Sequence, residues 1–522
     1  MKTACKTLLS LILCIVLCLP TFAVTVANGT EYTDSFDELV LELVECMANR
    51  EPTIVLNYTC DSAIADGFFD TLLARVFEHT GDPRGGDYLR YHYGGYKCSY
   101  KGFIKGGTRY YTITFNMQYY SNAEQEAAVD RKVDEIVKKI EETCVTDYEK
   151  IVAIYRFVTD NTVYDDENLN DPDYLLKYTA YAALINNTAV CQGYSTLMYR
   201  LALELGIDCR VITGIGNGGG HAWNIIDGGD GKYYLFDSTW DANNIRYGLE
   251  FANFFKGSDD FADHAADEKF LTEEFTAKYP ISKTNYVLDT EGHTYDNVWY
   301  IDKYATNAES GEKSHHCTEC GQRGEIVVIP YVHAETIYKN YELKSWSEDG
   351  INFVSSNGFM GDTGSGDFEQ TGKMTRSMFV TVLYRMAGSP KIESSSPFTD
   401  LDPAQSWYHN AVIWAYENGV VTGTSATTFA PNAEVTREQI ATFLYRYTVN
   451  YLGRDVSGIE NDISSFPDAS SVADYAREAL TWANGVGLIK GQASGGTSIL
   501  APKNDATREE VAVVISRFCT AE

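Results

Sequence analysis

The chain has 522 residues, 44% of them hydrophobic and 22% charged, with 73 Asp and Glu against 42 Lys and Arg, a formal charge of −31. This is globular composition, with length for about three or four domains. So acidic a surface repels phosphate backbones and anionic lipid, which argues against nucleic acid and membrane surfaces as partners.

At the start, Lys2 and Lys6 precede an apolar run over 8–19, then Pro20 and small residues. That is the order of a secretory signal, so 1–27 is expected to be removed after Ala23 or Ala27. The run is too short to span a bilayer. Leu17 before Cys18 does not suit a lipid anchor, and no later stretch reads as a membrane helix. An exported, soluble chain is expected. Of its 12 Cys, Cys5, Cys14 and Cys18 leave with the signal. An odd nine remain, which flags one free thiol. Cys46, Cys60, Cys98 and Cys144 are candidates for bridges of open connectivity.

From 28 to 122 helical and strand patterns alternate. Phe36, Leu39, Val40, Leu43 and Val44 recur at helical spacing, 53–58 reads as a strand, and 110–119 alternates with period two. An N-terminal α+β domain without a catalytic constellation is predicted. A second domain is expected over 123–285, with helices over 124–142 and 147–161 and glycine-rich turns near 216–220 and 228–231. Residues 286–340 read as a polar linker.

Within the second domain, Ala189-Val190-Cys191-Gln192-Gly193-Tyr194-Ser195 opens a helix whose buried face is Leu197, Met198, Leu201, Ala202 and Leu205, with Gly206 as its stop. Cys191 thus sits at a helix N-terminus, where the dipole favours a thiolate. Backbone N–H groups there suit an oxyanion, and Gly193 permits close approach of a chain or substrate. His221-Ala222-Trp223-Asn224-Ile225-Ile226, a turn over 227–231 and Lys232-Tyr233-Tyr234-Leu235-Phe236-Asp237 read as a β-hairpin. Pairing Ile226 with Lys232 sets Trp223 against Leu235 and His221 against Asp237 on one face. A one-residue slip would separate them. His221 can take the thiol proton, and Asp237 can fix and charge-stabilise the imidazole. Singly, such a Cys is more often a small buried residue, such a His a satisfied structural one, and such an Asp a turn cap. Three in order, on suitable elements, favour thioester-forming acyl transfer.

AVCQGYS, GHAWNII and YYLFDSTWD resemble the three motifs of the transglutaminase-like superfamily, with its papain-related Cys–His–Asp fold, over about 148–270. The resemblance implies Cys191 as nucleophile, His221 as base and Asp237 as orienting acid. Gly220 and Trp240 also match, Ser195 stands where many members have Ala, and Tyr178 or Tyr181 is expected to line the site. Members include peptidases, cross-linking enzymes and inactive binding versions. No calcium loop is evident, so no metal or other cofactor is expected.

Cys317 and Cys320, with His293, His315, His316 and His333 nearby, invite a zinc reading. One CxxC without a second pair is a weak signal. A short disulfide loop or a reduced pair is the expectation, with no chemistry assigned. Further on the text repeats. Trp346, Trp407 and Tyr475 are each followed five residues later by Ile351, Val412 and Leu480, then by Gly358, Gly419 and Gly487. The steps Thr375-Arg376, Thr436-Arg437 and Thr507-Arg508 follow at spacings of 61 and 71 residues. Thr436 with Gln439 and Thr507 with Glu510 suit capping boxes. The cap does not explain Arg, which opposes the helix dipole; an anion-binding guanidinium does. These copies resemble S-layer homology modules over about 341–518, at 341–389, 396–449 and 464–522. The resemblance implies a compact three-repeat domain bound to anionic secondary cell-wall polysaccharide. Its binding candidates are Trp346, Arg376, Trp407, Arg437, Tyr475 and Arg508. The first copy looks degenerate, with Lys339 in the position of Asp400 and Met378 breaking the capping box.

The fold class is α+β: a papain-like transglutaminase core, an N-terminal α+β domain and a mostly helical three-repeat anchor. The expected function is cysteine-dependent acyl transfer on extracellular peptides or proteins, hydrolysis ahead of cross-linking, at the wall or S-layer of a Gram-positive-type bacterium. The alternative is a non-enzymatic wall-bound adhesin or scaffold on the same fold.

Overall fold

The computed structural model describes residues 31–392, 394–459 and 461–521; the expected signal segment lies outside them. The first region packs α1 (Phe36–Ala48) on an antiparallel sheet of β1 (Thr53–Cys60), β2 (Tyr93–Lys105) and β3 (Thr108–Tyr119), in the order β1-β3-β2. The period-two pattern of β3 buries Ile113, Phe115 and Met117 against Ile54, Leu56 and the Leu39, Leu43 and Met47 face of α1. Because β3 separates β1 from β2, Cys60 and Cys98 lie about two strand spacings apart, beyond disulfide reach. None of the candidate cysteines is bridged: all nine described cysteines are free.

Buried polar contacts fasten this region to the next. Asp87, 1% exposed, accepts from Arg210 Nε (2.7 Å), Arg210 Nη2 (3.1 Å) and the Val211 N–H (3.0 Å). His92 accepts at Nε2 from the Ala180 N–H (2.9 Å) and donates from Nδ1 to the Tyr88 carbonyl (2.8 Å). That pattern requires neutral imidazole, and burial pushes its pKa down to about 4.

The central region begins with α2 (Ala123–Thr143) and α3 (Asp147–Asn161), each opened by a capping box, Asn122 with Gln125 and Thr146 with Glu149. Helix α4 (Cys191–Glu204) is largely buried against a four-stranded antiparallel sheet of β4 (Cys209–Gly216), β5 (Gly219–Asp227), β6 (Tyr233–Phe236) and β7 (His264–Ala266), in the order β6-β5-β4-β7. Helix α5 (Ser238–Arg246) follows β6 directly.

The segment expected as a polar linker is folded. Its strands β8 (Tyr300–Lys303), β9 (Gly311–Ser314) and β10 (Val327–Ile329) form an antiparallel sheet. Its charges serve as fasteners rather than solvated surface. Arg156 of α3 meets Glu312 at 3.1 Å, and Arg323 bridges Glu312 (2.9 Å) and Glu149 (3.0 Å). Toward the C-terminal region, Asn357 accepts from the Ala305 N–H (2.9 Å) and donates to its carbonyl (3.0 Å).

The repeats form three helix pairs: α6 (Glu348–Ser356) with α7 (Arg376–Met386), α8 (Ser406–Glu417) with α9 (Arg437–Arg446), and α10 (Arg477–Gly485) with α11 (Arg508–Thr520). The second helix of each pair packs on the first helix of the next: α7 on α8, α9 on α10, and α11 back on α6. This closes a ring. Ile351, Val412 and Leu480 are fully buried, whereas Trp346, Trp407 and Tyr475 five residues earlier are half-exposed. Met378 does not break its capping box. Its N–H donates to Thr375 Oγ1 (3.2 Å) and its Sδ accepts from the Thr375 N–H (3.5 Å), a thioether acting as a weak acceptor.

Candidate active site

Cys191 is the first residue of α4, after a Val190 N-cap that offers no side-chain acceptor. Of the N–H groups in its first turn, that of Gly193 donates to the Val190 carbonyl (2.8 Å), while a helix's first N–H groups lack the intrahelical acceptor that later ones have. Gly193 is needed because a Cβ there would meet Ala189 Cβ at 2.6 Å and the carbonyls of Thr179 and Lys177 at 3.0 and 3.1 Å. The close approach expected at Gly193 is therefore made by the protein's own chain, not a substrate. Ser195 donates to the Cys191 carbonyl (2.9 Å), and its own carbonyl accepts from Asn224 Nδ2 (2.9 Å), which ties α4 to β5.

The β5–β6 hairpin pairs Ile225 with Leu235 and Asp227 with Tyr233. This is two residues from the expected register, because the loop is 228–232, closed by the Gly228 N–H on the Lys232 carbonyl (2.9 Å). A two-residue shift preserves the faces, so His221 and Asp237 still meet, although not as a direct cross-strand pair. Asp237 lies just past β6 as the N-cap of α5. One carboxylate oxygen, Oδ1, accepts from the N–H groups of Thr239 (3.0 Å) and Trp240 (3.1 Å). The other, Oδ2, accepts from His221 Nε2 at 2.8 Å. Capping and orienting, weighed separately from the sequence, are thus both performed by one fully buried side chain.

Cys191 lies close enough to His221 to act, with Asp237, on its protonation. Burial alone lowers an imidazole pKa, but Asp237 and Cys191 outweigh it and push His221 up to about 10. The Asp237 carboxyl, which burial would raise, is held below its ordinary value by His221 and His264. A buried carboxylate, an imidazole whose basicity it raises and a sulfur at a helix start are the parts from which a cysteine nucleophile is built. Trp240 stacks on His221, ring centroids 5.2 Å apart, and a Cβ at Gly216 would strike the His221 ring at 2.8 Å.

Two residues escaped the sequence reading. His264, on the edge strand β7, donates from Nε2 to the same Oδ2 of Asp237 at 3.0 Å and stacks on Phe261 at 3.8 Å. Its only sequence signal is a lone His beyond a loop, 27 residues from its partner. Tyr164 lies near enough to Cys191 and Asp237 that both, after burial, raise its hydroxyl, to about 12. Of the two expected tyrosines, Tyr178 neighbours Tyr164 and its carbonyl accepts from Gln192; Tyr181 packs against the hydrophobic core. His221, Asp237 and His264 converge closely enough for a metal, but an ion there would displace both His–Asp hydrogen bonds.

The three repeat arginines reach across to the neighbouring unit. Arg376 Nε donates to the Phe429 carbonyl (3.0 Å), Arg437 to Leu500 (3.0 Å) and Arg508 to Phe368 (2.6 Å). Each is at most 7% exposed. They are first of all clamps that close the ring, which the reading as purely anion-binding groups did not foresee. Arg508 nonetheless lines a cavity of about 410 Å³ together with Trp407, Asp362 and a second arginine, Arg385. Arg446 and Arg517 occupy the matching positions, each nine residues after the first arginine of its unit. That spacing was present in the sequence and was not read. Arg446 neighbours Tyr475, which neighbours Arg376, and Arg517 neighbours Arg437. Asp400 is a loop latch, accepting from the N–H groups of Phe429 (2.9 Å) and Ala430 (2.7 Å), as Asp468 does for Leu500 and Ala501. Lys339 cannot do this for the first unit.

Comparison with known proteins agrees with both regions. Residues 134–238, which contain Cys191, His221 and Asp237, match the family model of the transglutaminase-like superfamily, and residues 397–441 and 465–512 match that of the S-layer homology domain. The chain is 30% identical over 190 residues to the Surface-layer 125 kDa protein of Lysinibacillus sphaericus, covering 36% of this chain and 15% of that protein. It is 27% identical over 120 residues to the Kyphoscoliosis peptidase of Homo sapiens, covering 21% of this chain and 18% of that one. The chain thus spans less than a fifth of these curated relatives. A solved structure of a TGase aligns with 19% identity and a TM-score of 0.21, covering 36% of this chain and 51% of that one. No helix among the described residues is long and apolar enough to cross a membrane.

Proposed function

We propose that this protein is a cell-surface enzyme in which Cys191 performs acyl transfer on extracellular peptides or proteins. The observation that carries the reading is His221 held at 2.8 Å by the fully buried Asp237 and lying near Cys191 at the start of α4. The thiolate attacks a carbonyl carbon, N–H groups of the first turn of α4 receive the developing oxyanion, and His221 gives its proton to the leaving amine. Water then attacks the thioester, with His221 as base, and hydrolysis results. An amine in place of water gives cross-linking, the less favoured outcome. No cofactor enters this scheme.

The second half of the proposal is anchoring. The half-exposed Trp346, Trp407 and Tyr475, each on a ring unit that carries buried arginines, suit an anionic cell-wall polysaccharide. The cell-surface placement is supported by the S-layer homology match and by the surface-layer relative. Iodoacetamide labelling near neutral pH tests the catalytic half. Cys191 should be alkylated well ahead of Cys46, Cys98 and Cys519, whose thiols burial pushes up to about 12, 11 and 12. Equal labelling of all four would remove the activated thiolate.

A further inference from the structure

Outside the catalytic site, His293, Cys317 and Cys320 bring one ring nitrogen and two sulfurs within 4.8 Å of one another. His293 Nδ1 and Cys320 Sγ are 3.5 Å apart. In a tetrahedral zinc site with Zn–S of about 2.3 Å and Zn–N of about 2.0 Å, the N···S edge is about 3.5 Å and the S···S edge about 3.8 Å. The His293–Cys320 edge matches that tetrahedron, and the other two edges lie within 4.8 Å.

The backbone is arranged around it. Cys317 pairs with Tyr295 in an antiparallel bridge, and the Thr318 N–H donates to the Thr294 carbonyl (2.9 Å), which sets His293 beside the CxxC turn. The Gly321 N–H closes that turn on the Cys317 carbonyl (2.9 Å), with Gly321 at φ +75°. The Cys317 side chain is buried against this turn, 4% exposed. The surrounding segment also needs a fastener. Its buried apolar residues between 286 and 333 are only Ala305, Cys317, Ile326, Val328 and Ile329 among those described. Units below about 70–80 residues with so little core usually rely on a metal, a disulfide or a partner surface.

We infer that His293, Cys317 and Cys320 bind one zinc-class divalent cation, with water in the fourth position, and that the ion fastens the β8–β10 segment between the catalytic region and the ring. Two thiolates and an imidazole are the donors such an ion selects. The two thiol protons leave to solvent as it binds. Position four opens to solvent because Cys320 is exposed.

The test uses the full chain carrying Cys191→Ala, so that no sulfur signal can come from the catalytic thiol. The reduced protein is stripped with chelator and titrated with Co²⁺, then with Zn²⁺. The expected result is about one Co²⁺ per chain with a sulfur-to-cobalt charge-transfer band, which Zn²⁺ bleaches. Cys320→Ser should weaken the band, Cys317→Ser with Cys320→Ser should abolish it, and His293→Ala should weaken Co²⁺ binding at least tenfold. Zn²⁺ should also protect 286–333 from limited proteolysis. A band that persists in the double Cys317→Ser, Cys320→Ser variant, Co²⁺ binding without any sulfur band, unchanged affinity in His293→Ala, or a Cys317–Cys320 disulfide in protein recovered from a secreting host would each overturn the inference.

Discussion

Replacing Asp237 by Asn keeps the side chain's size and one oxygen for the Thr239 and Trp240 N–H groups. The amide nitrogen then faces His221 Nε2, so that nitrogen must accept and Nδ1 must carry the proton toward Cys191. The base is presented in the wrong tautomer. Asp237 is the first of the contacts that raise the His221 pKa to about 10. A hydrogen bond to a charged group is worth about 1.5–3 kcal/mol, so its loss should disfavour the charged imidazole roughly 10- to 150-fold. Alkylation of Cys191 by iodoacetamide near neutral pH, followed by peptide mass spectrometry, should slow by about that factor. Turnover should fall further, on the order of 10³-fold or more, because the tautomer also fails. Circular dichroism checks that the variant is folded. A folded Asp237→Asn protein whose Cys191 reacts within about threefold of the wild-type rate would refute the charge linkage.

Other outcomes follow from the same contacts. His264→Ala removes one of the two imidazoles that hold the Asp237 carboxyl below its ordinary value, so the acid limb of the kcat/KM profile should move to higher pH while the alkaline limb stays near its place. His92 is neutral when folded, with a pKa near 4 against an ordinary 6.5, so the unfolded chain binds the extra proton between those values. Stability should therefore decrease by about 3 kcal/mol as pH falls from about 6.5 to about 4. His92→Gln, which keeps a donor and an acceptor, should flatten that part of the denaturant-midpoint curve. Trp407→Ala opens the cavity shared with Arg508 and Arg385 without touching the ring-closing hydrogen bonds. Sedimentation with purified cell walls should weaken while thermal unfolding stays nearly unchanged; unchanged sedimentation would move the polysaccharide contact elsewhere.

How much of this was legible depended on sequence distance. Cys191, His221 and Asp237 lie within 47 positions on a helix start and a hairpin, and period-two geometry brings the last two to one face even when the register is off by two. The register itself depended on loop closure by the Gly228 N–H, which composition does not reveal. His264 arrives from a three-residue edge strand after an irregular stretch, so no periodicity marks it. Arg376, Arg437 and Arg508 recur visibly, but the carbonyls they clamp belong to other units, 53, 63 and 140 residues away. Arg156, Glu312 and Arg323 show the same limit: charges in a polar segment look solvated until an ion-pair partner 156 or 11 residues away is known.

The central claim is that Cys191 is an acyl-transfer nucleophile acting on extracellular polypeptide. The most direct measurement incubates the full chain and its Cys191→Ala variant with a mixture of cell-surface proteins and a labelled primary amine, scoring new peptide termini, deamidated side chains and amine incorporation together by mass spectrometry. Hydrolysis products in excess of amine adducts are expected from the wild type and neither from Cys191→Ala. Identical product sets from the two proteins would contradict it.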